Sequence, residues 1–79
     1  MNELKALIEY IAGQLVDDPA KVRVDANQHG QVVIVRLTVQ PEEMGKVIGR
    51  QGRIARAMRT VLTIAASRRG LRASLDIND

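Results

Sequence analysis

Residues 45–54 read Gly45-Lys46-Val47-Ile48-Gly49-Arg50-Gln51-Gly52-Arg53-Ile54. Two glycines three apart enclose two polar residues, with an aliphatic pair before them and an amphipathic stretch after. Neither Gly49 nor Gly52 carries a Cβ to hold off an approaching chain, so the backbone between them can be approached closely. Arg50 and Gln51 set a charge and an amide at the tip. Between Met44 and Leu75 the chain has eight basic side chains, Lys46, Arg50, Arg53, Arg56, Arg59, Arg68, Arg69 and Arg72, and no acidic one. The remaining residues carry four basic and nine acidic side chains, for a net charge of +3. Such segregation repels itself in an isolated fold and suits a polyanion lying along one face.

Outward from this loop the chain divides into six elements. On its N-terminal side, Pro41-Glu42-Glu43 has the makings of a helix start, with proline at the first position and two carboxylates at the positive end of the dipole. That helix is short and ends near Ile48. On the other side a helix is predicted from Arg53 to Arg69. Ile54, Ala57, Met58, Val61, Leu62 and Ala65 lie on its apolar side, and Arg53, Arg56, Arg59, Thr60 and Thr63 on the other. The row of arginines lacks the acidic partners that a helix stabilised by its own surface pairs would show. Gly70 is a C-cap candidate. Leu71, Ala73, Leu75 and Ile77 then alternate with polar residues as a closing strand.

Before the loop, Leu4, Leu7, Ile8, Ile11 and Leu15 recur at helical spacing over residues 3–16, and Asp17-Asp18-Pro19 stops that helix. Val22, Val24 and Ala26 alternate as a strand. Asn27-Gln28-His29-Gly30 is a turn by composition, and Val33, Val35, Leu37 and Val39 mark the core face of a second strand over residues 31–40. The order is α-β-β-α-α-β. A strand–helix–helix–strand unit in one sheet needs a crossover, which places both central helices on one face. The first helix should cover the same face and leave the other open.

Composition narrows the function classes. A chain of 79 residues suits one domain, residues 1–79, with a modest core and no deep cleft. With no Phe, no Trp and one Tyr, the core is aliphatic and base stacking on aromatic platforms is essentially unavailable. The absence of Cys excludes disulfides and thiolate sites, and one His cannot form an imidazole metal site. His29 in a turn reads as solvated. Tyr10 lies off the main stripe of the first helix, either half-buried or at a protein interface. Apolar runs are too short for a bilayer span, and no signal peptide is visible, so a cytoplasmic protein is expected. The glycine spacing Gly45-x-x-x-Gly49-x-x-Gly52 does not match a dinucleotide fingerprint, and Lys46 is followed by Val47 where a P-loop needs Ser or Thr. Glu42 and Glu43 have no nucleophile or basic partner in sequence for paired-carboxylate catalysis. No catalytic set, metal or cofactor is expected.

The run Ile48-Gly49-Arg50-Gln51-Gly52, with Ile54 downstream and a strand on each side of the helix pair, resembles the KH-domain family of RNA-binding modules. The element order is similar to its bacterial type II arrangement, and the resemblance spans essentially the whole chain. It implies an α+β, type II KH fold with a three-stranded mixed sheet and three helices on one face. It also implies that Gly49–Gly52 clamps a sugar-phosphate backbone, with about four nucleotides held. The RNA-binding residues it implies are Lys46, Val47, Ile48, Gly49, Arg50, Gln51, Gly52, Arg53, Ile54 and Arg56. Bases would turn to a groove of Val47, Ile48, Ile54 and Met58 with the last strand as its other wall, and Arg68, Arg69 and Arg72 could lengthen the basic track. Small stand-alone members of the family are associated with RNA chaperone activity, cell elongation and envelope growth. They are also associated with homodimers and with a larger KH-containing partner. A non-catalytic single-stranded RNA-binding protein is the reading; the alternative is a ribosome-associated or protein-assembly adaptor with incidental RNA contact, and neither involves a membrane or a small-molecule substrate.

Overall fold

The structure, a computed structural model, describes residues 2–79. Helix α1 runs Asn2–Leu15, strands β1 and β2 run Arg23–His29 and Val32–Thr38, and helix α2 runs Met44–Ile48. Helix α3 runs Arg53–Ser67 and strand β3 Arg72–Asn78. Short 3-10 turns at Pro19–Lys21 and Pro41–Glu43 lead into β1 and α2. The first of these was not expected from the sequence; the Asp18 side chain accepts the Ala20 N–H and starts it.

The sheet order is β1-β2-β3, with β1 antiparallel and β3 parallel to β2. Its crossover carries α2 and α3, and all three helices lie over one face. This is the type II KH arrangement. Leu4, Ile8 and Ala12 of α1 meet Val33, Val35, Leu37 and Val39 along the central strand, with Val24, Val47 and Leu75 completing the interior. Aliphatic residues at period two in β2 and at helical spacing in α1 thus fill one layer, at about 1.5–3 kcal/mol for each large side chain taken from water.

Two details depart from expectation. The hairpin turn is shorter than Asn27–Gly30: β1 stays paired through His29, opposite Val32, which leaves Gly30 and Gln31 as a two-residue turn. Gly30, at φ 62°, occupies the first central position, where a tight hairpin turn needs a residue free of Cβ. Pairing of Asn27 with Ile34 and Gln28 with Val33 overrides their turn propensity. In α3 the buried stripe is Ala55, Met58, Leu62 and Ala66. Ala57 and Val61, placed on the core side by the helical wheel, lie exposed on the flank toward α1. The fully buried stripe is narrower than the apolar face because Ala57 and Val61 line an open groove between α3 and α1.

Candidate nucleic-acid interface

The loop is built from backbone of mixed hand. Gly49 has φ 76° and ψ 174°, a region open essentially to glycine alone, while Gln51 and Gly52 take φ 55° and 74°. Gln51 is the one non-glycine residue with positive φ among the described residues. The Gly49 N–H donates to Gly45 O at 2.9 Å, and the Gly52 N–H to Gly49 O at 3.1 Å. The loop is therefore a tight corner continuous with α2. A backbone of mixed hand can gather successive amides into an anion-binding concavity, and the corner opens into the positive end of the 15-residue helix α3.

The two glycines, both at positive φ, meet different surroundings. A Cβ on Gly49 would lie 2.6 Å from Ile54 Cγ1, so Ile54 packs against bare backbone. At Gly52 the nearest neighbour of a Cβ would be the Arg56 guanidinium, at 3.5 Å. Arg56 thus folds back over the corner. Arg53 donates to Gln51 Oε1 at 3.2 Å, which ties a second cation to the tip. Arg50, Gln51, Arg53 and Arg56 are exposed, and among the described residues no carboxylate is ion-paired to the three arginines. Arg59, one turn further on, reaches the open edge of the sheet and donates from Nε to Leu75 O at 3.4 Å.

The aliphatic residues separate. Val47 is fully buried beneath the loop and supports it from inside, whereas Ile48 and Ile54 are half-buried beside it. Ile54 and Met58 do line an open apolar groove of about 270 Å³, but its other wall is Ile11 and Leu15 of α1. This groove is on the α1 side of α3; the flank toward β3, where the sequence reading places the groove for the bases, carries Arg59.

Lys46 is also placed differently from the other cations. Its Nζ lies 2.6 Å from Asp17 Oδ2 and 2.9 Å from Glu43 Oε1. The Glu43 carboxylate in turn accepts the backbone N–H of Asp17 at 3.1 Å and of Asp18 at 3.4 Å. The Lys46 hydrogen bond, followed by the Asp17 amide, holds the Glu43 carboxyl below its ordinary value. The hydrogen bond to Asp17, followed by that to Glu43, raises the Lys46 ammonium. Glu43 thus stands at the helix start, as expected, and is also a buried anchor; its side chain makes no cap bond to α2. The expectation that Glu43 has no basic partner is corrected: Lys46, three residues on, is that partner, and the third member, Asp17, had no local signal.

Elsewhere, Arg69 lies near Glu3 at 3.9 Å and donates to Ala65 O, while Arg68 and Arg72 are exposed at the far end of α3. Tyr10 is 69% exposed, and His29 lies exposed at the end of β1. No cluster of three potential metal ligands occurs among the described residues. No helix among them is long and apolar enough to cross a membrane.

Comparison with known proteins agrees with this geometry. The family described as KhpA/KhpB, KH domain, matches residues 5–77. The chain is 48% identical over 77 residues to the RNA-binding protein KhpA of Aquifex aeolicus, covering 98% of each chain. It is 47% identical over 76 residues to the RNA-binding protein KhpA of Halalkalibacterium halodurans, covering 96% of this chain and all of the relative. It is 49% identical over 74 residues to that of Clostridium acetobutylicum, covering 94% and 99%. The glycine corner sits inside the matched region, on the expected fold, and the chain belongs to the KhpA/KhpB KH-domain family.

Proposed function

We propose that this protein is a non-catalytic binder of single-stranded RNA that grips the sugar-phosphate backbone with Gly49-Arg50-Gln51-Gly52. The observation that carries this reading is the corner itself, three positive φ values in four residues with unpaired Arg50, Arg53 and Arg56 around it. Its relatives' name as RNA-binding proteins supports the same reading. In this reading the phosphates lie against the corner and the start of α3, and the strand follows the flank of α3 toward β3, past Arg56 and Arg59. Ile48 and Ile54 give apolar contact beside the corner, Val47 supports it from within, and Lys46 braces its root. The cellular role is that of a cytoplasmic RNA chaperone or post-transcriptional regulator linked to cell elongation and envelope homeostasis, as the family resemblance implies.

One KH unit holds about four nucleotides, so useful affinity calls for a second unit joined to the first. The exposed apolar side chains Val61 and Ile64 beside the α1–α3 groove support a contact of that kind. The partner is a second KH unit, either a copy of this chain or a larger KH-containing protein. The same surface favours the second reading, an assembly adaptor whose basic face meets RNA incidentally.

The test is the double variant Arg50→Asp with Gln51→Asp, titrated into a labelled single-stranded RNA. Both side chains are exposed, so the fold should survive. The expected result is loss of RNA binding with an unchanged circular dichroism spectrum. A double variant that binds as well as wild type refutes the clamp and favours the adaptor.

A further inference from the structure

Glu43 is the one acidic side chain buried among the described residues, and it sits at the root of the loop rather than on it. Helix α2 has only five residues, too few to hold its own shape or direction in water. Three apolar side chains hold it to the interior: Val47 is fully buried, and Met44 and Ile48 pack half-buried against the core. Apolar contact is not directional, so it sets the depth of a short helix and leaves its direction free to shift. The Glu43 carboxylate removes that freedom, because it accepts the Asp17 and Asp18 amides that leave α1, at 3.1 and 3.4 Å. Lys46, three residues on, closes the network onto Glu43 and Asp17. The direction of α2 passes directly to the corner through the bond from the Gly49 N–H to Gly45 O.

We infer that Glu43 is a positioning residue for RNA, which aims the Gly49–Gly52 corner by fastening α2 to the exit of α1. Lys46 spends its charge in that fastening and adds no phosphate contact. This inference rests on the clamp reading above, but its first test needs no RNA.

The test compares Glu43→Gln, Lys46→Met and Arg50→Gln with wild type. The first measurement is amide hydrogen exchange of the free proteins. Glu43→Gln should speed exchange at Gly49, Gly52 and Arg53 at least tenfold, while amides in β2 and the middle of α3 keep their wild-type rates. Equal acceleration everywhere would show a merely structural role and overturn the inference, as would unchanged exchange in the loop. If Glu43→Gln does not fold, Glu43→Asp, which keeps the charge and shortens the reach, makes the same comparison.

The second measurement is affinity for a labelled 12-nucleotide oligouridylate between 50 and 200 mM salt. Glu43→Gln should weaken binding several-fold at every salt concentration with an unchanged slope of log K against log salt. Lys46→Met should also leave the slope unchanged, whereas Arg50→Gln should reduce it by about 0.7, one phosphate contact. A slope reduced by about 0.7 in Lys46→Met would overturn the assignment of Lys46. If wild type itself binds no oligouridylate, the clamp reading fails, and the exchange data still decide whether Glu43 aims the corner.

Discussion

Replacing Gly49 by alanine should strain the protein twice over. The backbone at φ 76° and ψ 174° is a region that residues with a Cβ almost never enter, at a cost of roughly 1–3 kcal/mol. The new methyl would also lie 2.6 Å from Ile54 Cγ1, 2.9 Å from Cδ1 and 3.0 Å from Cβ. Overpacking of that kind adds roughly 1–3 kcal/mol. The sum, about 2–6 kcal/mol, compares with about 4–12 kcal/mol of total stability for a domain of this size. Urea denaturation should show the loss directly, and thermal unfolding should fall by at least about 8 °C.

The two contributions can be separated. Ile54→Ala removes Cγ1 and Cδ1, so Gly49→Ala in that background should be less harmful by about 1–2 kcal/mol. Ile54→Val keeps Cγ1, the closest atom, and should recover little. Gly49→Ala within about 0.5 kcal/mol of wild type would refute the geometry, and so would an equal penalty in wild type and in Ile54→Ala.

Gly45 lies inside α2 with nothing near its Cβ direction, so Gly45→Ala should raise stability by about 0.5–1 kcal/mol in urea melts. Relief of the left-handed backbone at Gln51 gives Gln51→Gly a gain of up to about 1 kcal/mol in the same assay. Val47→Ala should cost about 2 kcal/mol and more than Ile48→Ala, since Val47 is fully buried and Ile48 only half so. The lowered Glu43 carboxyl stabilises the fold above its ordinary value near 4.5, and that stabilisation disappears as pH falls through the lower folded value. Stability measured from about pH 5 down to about pH 3 should therefore decline less steeply in Glu43→Gln than in wild type. At the alkaline end the raised Lys46 ammonium stabilises the fold below 10.5, and its contribution is lost as pH rises through the higher folded value.

What could be read from the chain follows from the range of the forces involved. The helical repeat of Leu4, Ile8 and Leu15, the alternation through Val33, Val35 and Leu37, and the glycine pair are local patterns, and they gave the element order and the sheet. The turn at Gly30–Gln31 was misjudged because cross-strand pairing extends β1 past residues that favour turns. The two flanks of α3 could not be separated by a helical wheel, since which flank meets α1 depends on packing over the sheet. Lys46 counted as one more cation in a basic segment. Its partner Asp17 is 29 residues away, and only the fold brings them together. The bend at Gly49 and Gly52 and the exposed arginines around it were legible, because glycine spacing and charge are local features of the chain.

The most direct measurement is the salt dependence of binding to a single-stranded RNA at the wild-type loop. Neutralising about four phosphates predicts a slope of log K against log salt near −3, taking about −0.7 for each phosphate of a single strand. Affinity should then weaken roughly fifty-fold between about 50 and 200 mM salt. A slope near zero would contradict the account, because a corner ringed by unpaired arginines could not hold a phosphate backbone without displacing its counterions.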